Sequence, residues 1–291
     1  MCKKCFLHSI EEKTARTMSR SSMLHYNDRV AIGVSGGKDS LALLYIIKTI
    51  LDEHHRSNLI AITIDEGIKG YRNESLQIVQ DFCAKLKVEN KILTYKDLFG
   101  TDMDEAMILR PSEKKMSSCS ICGTFRRRAL DIAAESVGAN VVATAHNLDD
   151  QLQTFMINFL AGDVERIGWS FPEPVQYGNN NLKKIKPLAE IYEQEIVFYA
   201  LQREIPFQSE ECPYMNESIR TELRQFLNKL EKNSPGIKYN AYNSMIKISK
   251  GIKSSQKIGK ANKCSNCGRD STGNICSVCK IIDVLKFNGN K

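Results

Sequence analysis

Residues 34–40 read Val34-Ser35-Gly36-Gly37-Lys38-Asp39-Ser40. They follow a short apolar run, Arg29–Val34, and precede a helical pattern that extends from Leu41 to about Glu53. An apolar strand, a tight polar turn and a helix in that order make the strand-to-helix step of a βαβ unit. Two adjacent glycines let the backbone fold tightly and aim N–H groups at an anion, and the helix N-terminus behind them adds its dipole. Ser35 and Ser40 add hydroxyls, and Lys38 adds a compact positive charge. The GxxxxGK[ST] phosphate loop is absent, so this is a different phosphate cradle. Asp39 is readable as a cap carboxylate or, beside a polyphosphate, as a ligand for Mg²⁺.

Outward from this turn the same alternation repeats. An apolar run at Leu59–Ile64 ends on Asp65-Glu66-Gly67, and a helical stretch follows at Glu74–Leu86. Then come a strand at Lys91–Thr94, a helix at Phe125–Val137, a strand at Asn140–Thr144 and a helix at Asp149–Leu160. The expected fold is α/β, a doubly wound, mostly parallel sheet with small zinc-knuckle appendages at the termini. Ligands in such sheets lie beyond the carboxyl ends of the strands. Ser35–Ser40, Asp65–Gly70 and Ala145–Asp150 all fall there. Val34, Ser35, Gly36, Gly37, Lys38, Asp39, Ser40, Ile64, Ala145 and Asp150 are therefore the expected nucleotide-binding residues. The organisation reads as an N-terminal arm with a partial knuckle (1–28), a catalytic domain (29–222), a basic linker or helical segment (223–260) and a C-terminal ribbon (261–291).

The formal charge is +7 over 291 residues, but it is unevenly placed. Residues 231–291 hold 12 Lys/Arg against 3 Asp/Glu, whereas the remainder holds 29 against 31. A one-sided cationic field attracts phosphate backbones through counterion release, so the tail reads as a polyanion-binding arm. From about Asn233 to Lys260 it shows little periodicity and reads as a linker, or as a segment that orders on nucleic acid. No apolar run is long enough to span a bilayer, and the N-terminus has no secretory core. A cytoplasmic protein without membrane contact is expected.

Of ten cysteines, eight form CxxC pairs: Cys2/Cys5, Cys119/Cys122, Cys264/Cys267 and Cys276/Cys279. In a reducing compartment such pairs usually hold metal. The last two pairs supply four thiolates in two knuckles, the pattern of a closed tetrahedral Zn²⁺ site, and a ribbon in a basic tail suggests a grip on RNA. Cys119/Cys122 is half a site, and Cys83 and Cys212 are the unassigned thiols. Cys83 sits among Ile78, Val79, Phe82 and Leu86 and reads as a buried small hydrophobe. Cys212 opens a turn and is the better partner. Three thiolates are too few for structural zinc but suit a [4Fe–4S] cluster with one iron left open.

These pieces together resemble the tRNA 2-thiolation family of PP-loop ATP pyrophosphatases, the TtuA/TtcA type and their cytosolic thiouridylase relatives. The resemblance is carried by SGGKDSLALL (Ser35–Leu44), IDEGIKGYR (Ile64–Arg72), CSICGTFRRRAL (Cys119–Leu130), AHNLDDQLQTFMINFLAGD (Ala145–Asp163), KPLAEIYEQEI (Lys186–Ile196) and ECPY (Glu211–Tyr214). It implies that Cys119, Cys122 and Cys212 hold a [4Fe–4S] cluster, that Asp150 is catalytic, and that Arg126 takes the place of a basic residue that is Lys in some members. Two departures stand out. Ala145-His146-Asn147 replaces a usual GHN, and the N-terminus matches only the second of two CxxC pairs. Cys2 and Cys5 are thus left without their usual zinc partners; His8 or His25 could complete the set.

The implied activity is an ATP-dependent tRNA sulfurtransferase. A uracil C2 oxygen attacks the α-phosphorus of ATP, and the adenylate then gives up AMP as sulfur replaces the oxygen. Positioning and charge neutralisation by the loop, Lys38 and Mg²⁺ would drive the first step. Asp150 would orient or deprotonate, with a plain helix-cap role as the alternative. His146 is readable as a base or as a packed loop histidine. Arg126, Arg127 and Arg128 fall at an expected helix start, where cations oppose the dipole and so point to phosphate. The partners implied are tRNA and a sulfur donor, either sulfide or a sulfur-carrier protein, with a homodimer left open. Competing readings are another PP-loop tRNA ligase and a non-enzymatic tRNA-binding zinc protein.

Overall fold

Successive strand residues point into two different cores. Val30 and Ile32 enter one cluster, whereas Ala31 between them enters the other. Ala61 faces the first, and Ile60, Ile62 and Ile64 face the second. A strand buried on both faces must be apolar throughout, which is why these runs show no polar alternation. The structure, a computed structural model, describes residues 1–54, 58–111, 116–169, 175–176, 182–215, 219–255 and 262–289.

The sheet runs β3 (Glu89–Thr94), β2 (Leu59–Asp65), β1 (Val30–Gly33), β4 (Val141–Ala143), β6 (Lys183–Ile185) and β5 (Val175–Gln176). The first five are parallel, and β5 is antiparallel at the edge. On one face lie α1 (Lys3–Arg20), α2 (Lys38–Glu53), α3 (Arg72–Leu86) and α9 (Glu193–Gln202). On the other lie α4 (Tyr95–Phe99), α5 (Met103–Leu109), α6 (Ser118–Ser136) and α12 (Ser277–Gly289). A third cluster joins α7 (Leu148–Leu160) to α10 (Arg220–Asn233) and α11 (Ile237–Ser255), and α8 (Val164–Gly168) packs beside them. β7 (Asn262–Lys263) and β8 (Asp270–Ser271) make a small hairpin.

The chain leaves β1 in one direction and β4 in the other, so the order reverses between these neighbours. That reversal opens a crevice at their carboxyl ends. Residues 34–40 and 145–150 both border it. α2 holds its end of the crevice firmly: Leu41, Ala42, Leu43, Leu44, Ile46 and Ile47 are all buried. Each such Leu or Ile contributes about 1.5–3 kcal/mol.

Two expectations are corrected. Of the two readings of 223–260, linker or helical segment, the described part follows the second: α10 runs to Asn233, a turn covers 234–236 and α11 runs Ile237–Ser255. Residues 256–261 are outside the described residues, and the expected lack of periodicity from Asn233 onward does not hold. The buried stripe of α11 is Lys238, Tyr242, Met245 and Ser249, at helical spacing. Two of these four are polar, so a search for apolar periodicity misses the helix. Nor does Cys119–Gly123 precede a helix beginning near Phe125. Ser117 caps the helix, its hydroxyl accepting from Ser120 N, and α6 starts at Ser118. Arg126, Arg127 and Arg128 therefore lie well inside α6, and the dipole argument made for them does not hold.

Candidate active site

The turn after β1 is built around Gly36, whose φ is +90° and whose missing Cβ would sit 2.7 Å from Ser75 Cβ. Only glycine meets both conditions. Ser40 Oγ accepts from Ser35 N at 3.1 Å and donates to Gly37 O at 2.9 Å, closing the turn on the first residues of α2. Gln208 N donates to Gly36 O from the far side at 3.1 Å. Val34 is buried, with its N–H on Ile62 O.

Lys38 is held by two carboxylates, Asp39 Oδ2 and Glu193 Oε1, each at 3.0 Å. Burial alone would lower its pKa, but Asp39 and Glu193 outweigh this and hold it above the usual range. Asp39 also accepts from Asn147 Nδ2 at 3.1 Å, which links the turn after β1 to the turn after β4. Asn147 and Asp150 form a capping box at the start of α7, each side chain accepting from the other's N–H. Burial pushes the Asp150 carboxyl up to about 6; Asp39 and Glu193 add to this, against the Asn147 N–H. Lys186, whose Nζ donates to Gln151 at 3.0 Å, is pushed down to about 8 by burial. His146, hydrogen-bonded to Thr144 at 2.9 Å, is pushed down to about 3 by burial and by Lys186 and the nearby arginines. The residue is exposed all the same, at the turn after β4. The raised carboxyl of Asp150 and the lowered amine of Lys186 thus face each other beside His146 at this turn. Ala145 borders it half-buried, and Ile64, buried, offers its carbonyl to Arg72.

From the phosphate turn an arginine–carboxylate chain runs to the cysteines. Arg72 donates to Ser35 O at 2.8 Å and Ile64 O at 2.7 Å, and its Nε lies 2.7 Å from Glu66 Oε2. Glu66 Oε1 accepts from Arg126 Nε at 3.0 Å, and Arg126 Nη2 lies 3.4 Å from Cys122 Sγ. The Cys212 turn is fastened to the same place, since Ser118 Oγ donates to Tyr214 O at 3.0 Å. Burial raises the Cys212 thiol, and the neighbouring Cys122 and Cys119 raise it further. Cys119 and Cys122 thus lie near enough to Cys212 to act on its charge. Their sulfurs are not drawn up as the ribbon's are, whose four thiols form the one group among the described residues with ligand atoms within 4.8 Å of one another. Cys83 is buried in the apolar core with its thiol pushed up to about 11. Thiols on one helix turn and an adjacent loop, beside a guanidinium, suit a cluster that needs thiolate ligands and a balancing cation.

The sulfurs of Cys264, Cys267, Cys276 and Cys279 lie within 4.8 Å of one another. Cys264 Sγ accepts from Cys276 N at 3.2 Å, and Cys276 Sγ from Cys279 N at 3.5 Å. Four thiols with amide donors aimed at them fit a tetrahedral ion such as Zn²⁺. The ribbon packs against α6: Cys264 and Cys276 share a core with Ile121 and Phe125, and Arg269 pairs with Glu135 at 2.8 Å. At the other terminus, Cys2 caps α1 by accepting from Cys5 N, and both are exposed. His8 lies 3.7 Å from Glu12 and His25 3.6 Å from Asp28, so neither is drawn to that pair.

Glu66, Arg72, Asn147, Lys186 and Glu193 belong to this site, yet nothing in the sequence by itself singles them out. All lie inside the motifs that carry the resemblance, so the signal is there; their long-range partners are 35 to 155 positions away.

The chain matches the PP-loop domain over residues 7–231. It is 36% identical to the cytoplasmic tRNA 2-thiolation protein 1 of Aspergillus niger, covering 100% of this chain and 84% of that one. It is 31% identical to the tRNA 2-thiolation protein NcsA of Haloferax volcanii, covering 98% and 93%. A solved structure, the U34-tRNA thiolase NcsA of Methanococcus maripaludis with its [4Fe-4S] cluster, superposes with a TM-score of 0.81 at 32% identity, covering 97% and 88%. No helix among the described residues is long and apolar enough to cross a membrane. With this match in sequence and fold, the chain belongs to the PP-loop family of tRNA 2-thiolation proteins.

Proposed function

We propose that this protein is an ATP-dependent tRNA sulfurtransferase that converts the C2 oxygen of a tRNA uridine to sulfur. The observation that carries this reading is the continuous link from Ser35 through Arg72, Glu66 and Arg126 to Cys122. It supports an adenylating turn joined to a three-thiol site.

ATP would lie over residues 34–40, with Ile64 and Ala145 beside the nucleoside. Lys38 would exchange its carboxylate partners for phosphate oxygens and offset the charge that develops at the α-phosphorus. Asp39 is suited to hold Mg²⁺ with those oxygens. Asp150, poised near 6, would take the uridine N3 proton as O2 attacks, and pyrophosphate leaves. Cys119, Cys122 and Cys212 would hold a [4Fe–4S] cluster, which when bound supplies an iron position open to sulfur. Arg126 beside Cys122 would orient the phosphate of the activated base, while the donor's sulfide-level sulfur forms a bond to C2 and the C2–O bond breaks, AMP leaving with the former O2.

In this reading residues 29–222 carry the chemistry, 223–260 join them to the tail, and 261–291 hold Zn²⁺. The protein acts in the cytoplasm on tRNA, with sulfide or a sulfur-carrier protein as donor. Incubation with tRNA, Mg-ATP and sulfide after anaerobic reconstitution should release AMP and yield 2-thiouridine on nucleoside mass spectrometry. AMP release with no thiolated nucleoside would favour another PP-loop tRNA ligase.

A further inference from the structure

Lys238 belongs to the basic segment and lies beyond the PP-loop match at 7–231, yet it is 3% exposed. Its ammonium pairs with Asp149 Oδ1 and also donates to Asn228 Oδ1. A lysine withdrawn from water needs such partners, because an unpaired buried ammonium is strongly disfavoured. The turn delivering it is tightly specified: Glu231 accepts from Gly236 N at 2.7 Å and from Lys238 N at 2.8 Å.

Asp149 is shared. Its second oxygen, Oδ2, accepts from Glu193 N at 2.9 Å, at the first residue of α9. The Glu193 carboxylate in turn holds Lys38 Nζ at 3.0 Å. Lys238, Asp149, Glu193 and Lys38 therefore form an unbroken series from the tail helix to the phosphate turn. Asp149 touches neither the turn nor Asp39 in any of these contacts; it acts on them only by fixing where α9 begins. Without its ammonium partner, this buried carboxylate would lose the group that holds it in register beneath the Glu193 N–H.

We propose that Lys238 is a positioning residue of the nucleotide site: by locking Asp149 it sets the start of α9, and through Glu193 the placement of Lys38. The proposal rests on the reading that ATP occupies residues 34–40. It makes the C-terminal helices part of that site rather than an RNA arm alone.

The test uses the full-length chain, with calorimetric binding of a non-hydrolysable ATP analogue plus Mg²⁺, and pyrophosphate release with tRNA. Lys238→Met should weaken analogue binding and lower kcat/KM for ATP about tenfold, with kcat itself reduced because Lys38 is displaced, while tRNA affinity stays within about twofold. Glu231→Gln can keep its oxygen on the Tyr192 hydroxyl and Gly236 N but loses the acceptor for Lys238 N. It therefore loosens the α10–α11 turn without removing the ion pair or the Tyr192 contact at α9, and should lower thermal stability but leave analogue affinity unchanged. If Lys238→Met fails to fold, the double variant Asp149→Asn/Lys238→Met leaves no buried charge alone and should show the same loss of analogue binding. Wild-type affinity in the folded variant, or equal loss in Glu231→Gln, would overturn the positioning role while leaving the nucleotide reading intact. Failure of the wild-type chain itself to bind the analogue would overturn both.

Discussion

Glu66 accepts from Arg126 on one side while Arg72 lies 2.7 Å away on the other, and at 2% exposure it is more buried than either. One carboxylate thus joins the backbone of the phosphate turn to the helix that carries Cys119 and Cys122. Breaking a buried ion pair from one side leaves the other charge stranded, at about 3–5 kcal/mol. Arg126 is half exposed and can turn to water, so Arg72 bears most of this cost. Glu66→Ala should lower the Tm by roughly 10 °C. A melting curve matching wild type would show that the pair is not structurally coupled.

Lys38→Ala or Asp39→Ala should abolish tRNA-dependent AMP formation and keep the far-ultraviolet circular dichroism of the wild type. Both side chains line the turn, and the α2 core behind them, from Leu41 to Ile47, does not involve either. Wild-type AMP yields would remove the proposed ATP site from residues 34–40.

Asp150 gives a pH dependence of definite sign. Its native pKa, about 6, lies above the ordinary aspartate value of 3.8, because burial and nearby carboxylates disfavour the charge. Between roughly pH 4 and 6 the native state keeps a proton that the unfolded chain has released. This group's contribution to stability therefore falls as pH rises through that window, and Asp150→Asn should remove that fall. Urea titrations of both proteins across the window measure the difference. The AMP-forming rate should climb through about pH 6 in the wild type, as the carboxylate forms.

Cys212→Ala should lose iron, sulfide and thiolation together yet keep tRNA-dependent AMP formation and the metal of the ribbon. Cys264→Ala should lose the ribbon's zinc. Because Cys264 shares a core with Ile121 and Phe125 of α6, it should also lower the midpoint of thermal unfolding. Metal analysis with calorimetric melting separates the two; a full cluster in Cys212→Ala would dismiss the three-thiol site.

Lys247 and Lys250 are exposed on α11, whereas Lys238 is not. Converting the first two to alanine should weaken tRNA binding and flatten log K against log salt, by about 0.9 for each duplex phosphate that is no longer neutralised. Lys238→Met should leave that slope unchanged. Equal slopes for all three proteins would place the tRNA-binding surface elsewhere.

Local sequence was enough for what is local. VSGGKDS, between an apolar strand and a helix, specified its own turn, because Gly36 must adopt φ +90° and Ser35 and Ser40 lie within reach of each other. The ribbon was equally legible, since its four thiols lie within 16 residues, Cys264 to Cys279, and close on themselves. Asp150 is reached through the family resemblance, and the structure adds that it forms a capping box with Asn147 three positions away. The start of α6 is misplaced from sequence although Ile121, Phe125, Ala129 and Ala133 form a buried stripe at helical spacing, because its first turn is occupied by the Cys119/Cys122 pair and polar residues. What tertiary structure alone decided are the pairings between distant charges: Glu66 with Arg126, Lys38 with Glu193, Asp149 with Lys238. Lys38 and Arg126 stood out in sequence but their partners Glu193 and Glu66 did not, Asp149 and Lys238 read as ordinary surface residues, and α11 hid behind its own lysines. A charge becomes structural when folding removes its water and leaves only a few fixed partners in reach, and no stretch of chain read alone contains that information.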